Sequence, residues 1–372
     1  MTREQYCEKR EEALEAFYID GEVISCEKYG NGHINDTFVV VYQAGSEKRR
    51  YILQRINHEI FTRPDQLMTN INCVTEFLRQ KIRENGGDVD RETLNVVKTK
   101  KDETFYKDSI GSYWRMYFFI EEATSFDQVR NPEDFYHSGV AFGRFQKLLA
   151  EFDAATLYET IPNFHNTPVR YENLLKAIKE DVCQRAASVQ EEIDFILQHK
   201  DDVKRCQSSL ISGKLPLRVT HNDTKLNNIM IDNKTGRGIC VIDLDTVMPG
   251  LSIFDFGDSI RFGANTAAED EKDLSKVSLN LMLFEQFTKG YLEGCDGSLT
   301  RAEVEMLANG AKTMTLECGI RFLTDYLQGD IYFKIHRKDH NLDRCRTQLA
   351  LVKNMETKWD DMNRIIAKYL VG

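Results

Sequence analysis

The chain has no apolar run long enough to cross a bilayer, no C-x-x-C pair, no internal repeat and no low-complexity tract. Each absence closes a class of function. Without a spanning segment no membrane role is expected, and the opening Met-Thr-Arg-Glu-Gln-Tyr-Cys-Glu-Lys-Arg is charged where a secretory signal would be apolar. The nine cysteines, at 7, 26, 73, 183, 206, 240, 295, 318 and 345, are scattered and odd in number. They fit neither a disulfide framework nor a zinc site and point to a reduced, cytoplasmic protein. Positive charge is also short, with 49 basic against 59 acidic residues and a net charge of −10. That argues against nonspecific binding of nucleic acid or of an anionic membrane. The sequence does not set the oligomeric state. At 372 residues the chain is long enough to bury two cores and hold a site between two lobes.

The most informative stretch is 219 to 245, where Thr220-His221-Asn222-Asp223-Thr224-Lys225 leads to Asn227-Asn228 and then to Ile242-Asp243. Asp223 offers a carboxylate to take the proton of an attacking hydroxyl. Lys225 offers an ammonium to offset charge on a transferring phosphoryl group, and Asn228 an amide oxygen for Mg2+. The metal needs an anionic ligand as well. Ile229 to Asp232 and Ile239 to Ile242 read as two apolar strands joined by an Asn-Lys-Thr-Gly turn, a hairpin that returns Asp243 to Asn228. The tripeptide Asp255-Phe256-Gly257 matches the metal motif of protein kinases by letters, but lies much further past Asn228, with no strand leading into it. Asp255 is expected to brace the catalytic loop, from its backbone or from His221.

Around this segment the sequence predicts an α+β chain of two lobes. Glu22 to Tyr29, Thr37 to Gln43 and Arg50 to Gln54 read as strands. A helix opens at Pro64, with Leu67, Ile71, Val74, Leu78 and Ile82 on one face, and stops at Asn85-Gly86-Gly87. Leu94 to Lys98, Thr104 to Lys107 and Tyr113 to Ile120 read as further strands. Beyond them the period is helical, beginning at Asn131-Pro132 with Phe135, Phe142, Phe145, Leu149 and Phe152 as a core stripe and ending in one helix from Asn341 to about Tyr369. The expected division is an N-lobe of antiparallel sheet and helix, 1–121, and a mostly helical C-lobe, 122–372, which is the bilobal architecture of protein kinases.

A nucleotide site needs more parts. Gly30-Asn31-Gly32-His33-Ile34-Asn35 lies between the first two strands, where backbone amides can cover phosphates; a plain hairpin turn is the alternative. Gly30, Gly32 and His33 are the candidates there. Phe119, at the end of the last strand of the sheet, and Glu121, just past it, stand where backbone groups can pair with adenine. The third strand departs from the kinase pattern, with Gln54 at the position of the usual phosphate-binding Lys and Arg55 beside it. Since neighbouring strand residues face opposite sides, either the register is offset and Arg55 serves, or magnesium and Lys225 meet the phosphate charge. Glu76 on the following helix then reads as solvated.

On His221-Asn222-Asp223, Asn228 and Ile242-Asp243 the chain resembles the aminoglycoside phosphotransferase-like small-molecule kinases. Gly-His-Ile-Asn at 32 to 35, Thr-His-Asn-Asp-Thr-Lys-Leu-Asn-Asn at 220 to 228, Phe-Asp-Phe-Gly-Asp-Ser-Ile-Arg-Phe-Gly at 254 to 263 and Arg-Phe-Leu-Thr-Asp-Tyr-Leu-Gln-Gly-Asp-Ile-Tyr-Phe at 321 to 333 are similar to a narrower group within it, the N-acetylhexosamine 1-kinases. The resemblance implies ATP- and Mg2+-dependent phosphorylation of the anomeric hydroxyl of GlcNAc or GalNAc, an intracellular salvage step. It implies that Asp223 is base and sugar contact and that Arg321 and Tyr332 line the sugar pocket. From the residues alone, Arg321 equally suits a salt bridge to Asp325 one turn on, and Tyr332 a core position. Choline, ethanolamine and aminoglycoside kinases of the same family remain open, as does a noncatalytic pseudokinase. A choline site would need an aromatic cage, and with only two tryptophans that cage would fall to Tyr and Phe.

Overall fold

The computed structural model describes residues 3–30, 34–126 and 129–370. Helix α1 (Arg3–Ala16) comes first, followed by β1 (Glu22–Lys28), β2 (Asp36–Ala44), β3 (Glu47–Ile56), helix α2 (Pro64–Glu84), the short β4 (Val96–Val97) and β5 (Tyr106–Lys107), and β6 (Tyr113–Phe118). The strands form one antiparallel sheet in the order β1-β2-β3-β6-β4, with β5 also on β6. β2 and β3 are longer than their apolar runs suggest, because cross-strand pairing carries polar residues such as Lys48 and Arg49 into the ladder. The expected strands at 94–98 and 104–107 shrink to two residues each.

Alternation along these strands divides the sheet into two faces. One carries Phe38, Val40, Tyr42, Tyr51, Leu53, Val97, Trp114 and Met116, packed on Ala13, Leu14 and Phe17 of α1 and its C-terminal end. That covering helix has no counterpart in the sequence reading, since its apolar anchors are few among many charges. The other face carries Thr37, Gln54, Arg115 and Tyr117. Helix α2 turns Leu67, Met68, Ile71, Val74, Leu78 and Ile82 into the large core shared with the rest of the chain. Asn70 pins it there by donating to the carbonyls of Tyr158 (2.8 Å) and Val247 (3.0 Å).

The remainder comprises β7 (Ala123–Thr124), α3 (Pro132–Leu148), α4 (Thr167–Glu180), α5 (Gln190–Gln198), α6 (Lys200–Ile211), β8 (Arg218–Thr220), β9 (Ile229–Asp232), β10 (Gly238–Val241), β11 (Met248–Gly250), α7 (Ser252–Gly263), α8 (Leu281–Cys295), α9 (Arg301–Glu305), α10 (Leu307–Gln328), α11 (His340–Thr357) and α12 (Trp359–Lys368). The aromatic stripe of α3 is core as expected, and Phe142 and Phe145 stand edge-on to His221, at 5.7 and 6.2 Å between ring centres. The single terminal helix expected from 341 to 369 is instead two. It breaks at Lys358, whose ammonium donates to Ser278 Oγ and the Leu279 carbonyl, both at 2.7 Å. Among the described residues no helix is long and apolar enough to cross a membrane.

Candidate active site

β8 delivers His221 and Asn222 into a tight turn, and Asn222 takes a left-handed backbone (φ 64°) that an Asn tolerates. Asp255, buried near the start of α7, holds this turn. Its Oδ2 accepts the His221 amide (2.9 Å) and Gln146 Nε2 (2.9 Å), and its Oδ1 accepts the Asn222 amide (2.8 Å). Burial pushes the Asp255 carboxyl up, against the pull of His221 and those donors. The brace therefore runs to the backbone, one of the two expected routes. His221 ties the loop to the hairpin. Its Nε2 donates to the Ile242 carbonyl (2.8 Å), and Nδ1 is left to accept from the Asp223 amide (3.3 Å).

Asp223 and Lys225 form an ion pair at 2.9 Å, with their side chains 28% and 36% exposed. Burial would lower the Lys225 pKa; Asp223, Asp258 and Asp243 outweigh it and keep the ammonium charged. Asn228 donates through Nδ2 to the Asp223 carbonyl (2.8 Å) and to Asp223 Oδ2 (3.2 Å), so its Oδ1 is the free end among the described residues. β9 and β10 pair as the expected hairpin, displaced by one residue at the second strand, and the Ile242 amide donates to the Asn228 carbonyl (2.8 Å). Asp243 follows at once in a left-handed conformation (φ 59°). Burial, then Asp245 and Asp223, push its carboxyl up to about 6, while Arg115 and His221 draw it down. Like charges crowded in a buried place, with an amide oxygen to spare, are the donor set of a hard divalent cation.

The phosphate side is built differently from what the third strand suggested. The register is not offset. Arg55 lies on the face covered by α1, bonded to Asp36 (2.7 Å) with its guanidinium 5.0 Å from the Tyr6 ring. Gln54 faces the other way, and its cross-strand partner is Arg115. Arg115 is 1% exposed, donates from Nε to Gln54 Oε1 (2.9 Å) and is ion-paired with Asp245. Asp245 also accepts Asn35 Nδ2 at 2.6 Å, which joins the end of the glycine-bearing loop to the hairpin. Glu76 is exposed, as expected. Gly30 is exposed with φ 72°, whereas Gly32 and His33 lie outside the described residues.

At the junction after β6, Arg91 occupies the carbonyls of Glu121 (3.1 Å) and Glu122 (3.3 Å) and pairs with Asp232 (2.8 Å). The Phe119 carbonyl and the Ile120 and Glu121 amides have no partner among the described residues, while the Phe119 amide donates to the Arg50 carbonyl (3.2 Å).

On the opposite flank His165 bridges the Asn222 carbonyl (3.2 Å) and Glu317 (2.8 Å). Arg321, one turn beyond Glu317 on α10, makes no hydrogen bond or ion pair among the described residues. Its guanidinium lies 5.4 Å from the rings of Phe164 and Phe333 and 5.9 Å from that of Tyr332. The alternative salt bridge to Asp325 does not form. Asp325 instead accepts the amides of Ile331 (2.9 Å), Tyr332 (2.8 Å) and Phe333 (3.0 Å) and Asn341 Nδ2 (2.8 Å), shaping the loop that carries Tyr332. Tyr332 is 65% exposed, so it is not a core residue.

Residues 25–276 match the phosphotransferase enzyme family APH. The chain belongs to that family. Its fold is shared with a choline kinase from Cryptosporidium parvum Iowa II (14% identity, 93% of each chain, TM-score 0.54). It is shared also with an aminoglycoside phosphotransferase from Alicyclobacillus acidocaldarius (10% identity, 96% of this chain and 94% of the other, TM-score 0.53). The GDP complex of aminoglycoside 2'-phosphotransferase-IIIa is similar as well (11%, 94% and 99%, TM-score 0.56). As a member of this family the protein is a small-molecule kinase with the protein-kinase-like fold expected from its sequence. Three residues of this phosphotransferase escaped the sequence reading: Arg115, Asp245 and His165. Asp245 had a signal, an acid two places beyond Asp243; Arg115 and His165 had none, being brought there by β6 and by the turn ahead of α4, both remote in sequence.

Proposed function

We propose that the protein transfers the γ-phosphoryl group of ATP, with Mg2+, to the anomeric hydroxyl of an N-acetylhexosamine, GlcNAc or GalNAc, in the cytoplasm. The division we infer is an N-lobe, 1–121, that covers the nucleotide, and a C-lobe, 122–372, that carries the catalytic loop and sugar pocket. Asp223 accepts the proton of the attacking hydroxyl, and Lys225 offsets charge on the phosphoryl group in transit. Mg2+, when bound, neutralises charge on the phosphates; Asn228 and Asp243 are the residues to hold it. Adenine pairs with the unengaged groups of Phe119, Ile120 and Glu121, the Glu121 carbonyl being taken by Arg91. Gly30, with Gly32 and His33, covers the phosphates, while Gln54 acts through Arg115 rather than on the nucleotide.

The observation that carries the sugar reading is Arg321. A guanidinium with no hydrogen bond or ion pair among the described residues, flanked by Tyr332 and one turn beyond Glu317, whose carboxyl feels its charge, presents N–H donors to sugar oxygens or an acetamido carbonyl. Arg170 adds a second cation nearby, its guanidinium pushed down by burial and then by Arg321. Two cations disfavour a polycationic aminoglycoside. They disfavour choline too, because the rings available for a cage already surround Arg321. Retention of Asp223 and Asp243 argues against a pseudokinase.

The test is ADP release from ATP and Mg2+ with GlcNAc, GalNAc, glucose, galactose, choline and kanamycin, followed by phosphorus NMR of the product. Selective turnover of the acetylated sugars with phosphate on the anomeric oxygen is expected. Turnover of choline or kanamycin alone would replace the substrate.

A further inference from the structure

The kinase position on β3 has no cation, yet the nucleotide reading above requires the glycine-bearing loop and the metal-candidate hairpin to be held at a fixed separation. The side chains between them close a ring. Thr37 Oγ1 accepts Gln54 Nε2 (3.0 Å), Gln54 Oε1 accepts Arg115 Nε (2.9 Å), Arg115 pairs with Asp245, and Asp245 Oδ2 accepts Asn35 Nδ2 (2.6 Å), two residues from Thr37. Asn35 Oδ1 in turn accepts the Asn57 amide (2.9 Å) at the far end of β3. The ring thus ties Asn35 and Thr37, both on the β2 side of the glycine-bearing loop, to Asp245, two residues beyond Asp243.

We propose that Arg115 is a positioning residue for the nucleotide: paired with Asp245, and through Asp245 with Asn35, it sets the entry to β2 against the hairpin in place of the missing third-strand lysine. Its burial assigns it this role rather than direct phosphate contact, since 1% exposure leaves little surface to offer a ligand. Arg55 cannot substitute, because it sits on the other face of the sheet against Asp36 and Tyr6. Arg115 lies on the face that packs Ile56 and Tyr117 into the large core with α2, and from there its guanidinium reaches Asp245 beyond the hairpin. Both charges are buried, so removal of one leaves the other without a counter-ion next to the phosphate site.

The inference rests on the nucleotide reading, so its test starts from nucleotide binding and needs no acceptor. Binding of a fluorescent ATP analogue with Mg2+, and separate KM values for ATP and sugar, would be measured for the full-length wild type and for Arg115→Met, Arg115→Lys, Asp245→Asn and Asn35→Ala. Arg115→Met is expected to weaken nucleotide binding and raise the ATP KM by about 20-fold, with the sugar KM within about twofold. Arg115→Lys should recover part of that loss. The double variant Arg115→Met/Asp245→Asn should be no worse than its worse single parent, as for residues in one network. Asn35→Ala, at a half-buried position outside the apolar core, should raise the ATP KM by about fivefold. It keeps the question decidable if Arg115→Met does not fold. Folded variants that bind nucleotide like wild type, or that shift both KM values equally, would overturn the proposal alone. A wild type that binds no nucleotide would remove the reading beneath it, and the proposal with it.

Discussion

The catalytic hairpin and the phosphate-side wall do adjacent jobs but are assembled in opposite ways. In the hairpin, Asp223 meets Lys225 two residues away and Asn228 five residues away, and one tight turn returns Asp243. In the wall, the bonds join residues 17, 61 and 210 positions apart, from three strands and two loops. Chemistry that must align a base, a cation and a metal ligand to within an ångström is placed on a short rigid segment, braced from beneath by Asp255. A buried brace has only to meet its partners across the sheet, and here the cation lies on β6, at Arg115, rather than on β3.

Substitutions can separate the two regions. The largest effect is expected from Asp223→Asn, which should lower kcat by about 10³-fold while leaving nucleotide binding unchanged, because the loss falls on proton transfer alone. Calorimetric binding beside steady-state rates would check this; a parallel loss of nucleotide affinity would merge the two regions into one. Asp255→Ala should be next. It leaves the amides of His221 and Asn222 buried without an acceptor and should cost about 3 kcal/mol of stability, read from chemical denaturation. An undiminished midpoint would show that the loop holds itself.

Arg321→Ala defines a third region. It should raise the sugar KM by about 30-fold and the ATP KM hardly at all, and the reverse pattern would move Arg321 out of the acceptor pocket. The smallest effect concerns pH. With the Asp243 carboxyl pushed up to about 6, a metal-free molecule holds a proton there that Mg2+ must displace. Mg2+ affinity should therefore fall by about tenfold per pH unit below that value and level off above it, as titration calorimetry across pH 5 to 8 would reveal. The same raised pKa means that Asp243 contributes stability at low pH that is lost as pH rises from the ordinary carboxylate range through about 6, with Mg2+ restoring it above. A flat profile would assign the metal to Asp245 or to another group.

The sheet and helix pattern was legible where apolar alternation was strong, as in β2 and in α2, whose core face matches the expected residues one by one. It failed at α1, where charge masks three apolar anchors, and at Lys358, where a break follows from bonds to a remote loop. Arg321 and Tyr332 were known only through resemblance. Their separation from Asp325 and from the core was decided by the loop at 330 to 333, which Asp325 gathers with its carboxylate.

By itself the sequence determined that Asp223, Lys225, Asn228 and Asp243 stand together, because a loop and hairpin obey local rules and keep their members within reach of one another. Only the tertiary structure decided which cation stands beside Gln54 and Asp245. Cross-strand neighbours share a face by register, and register between β3 and β6 is set by packing on α1 and α2 across 61 residues, a distance over which local sequence carries no signal.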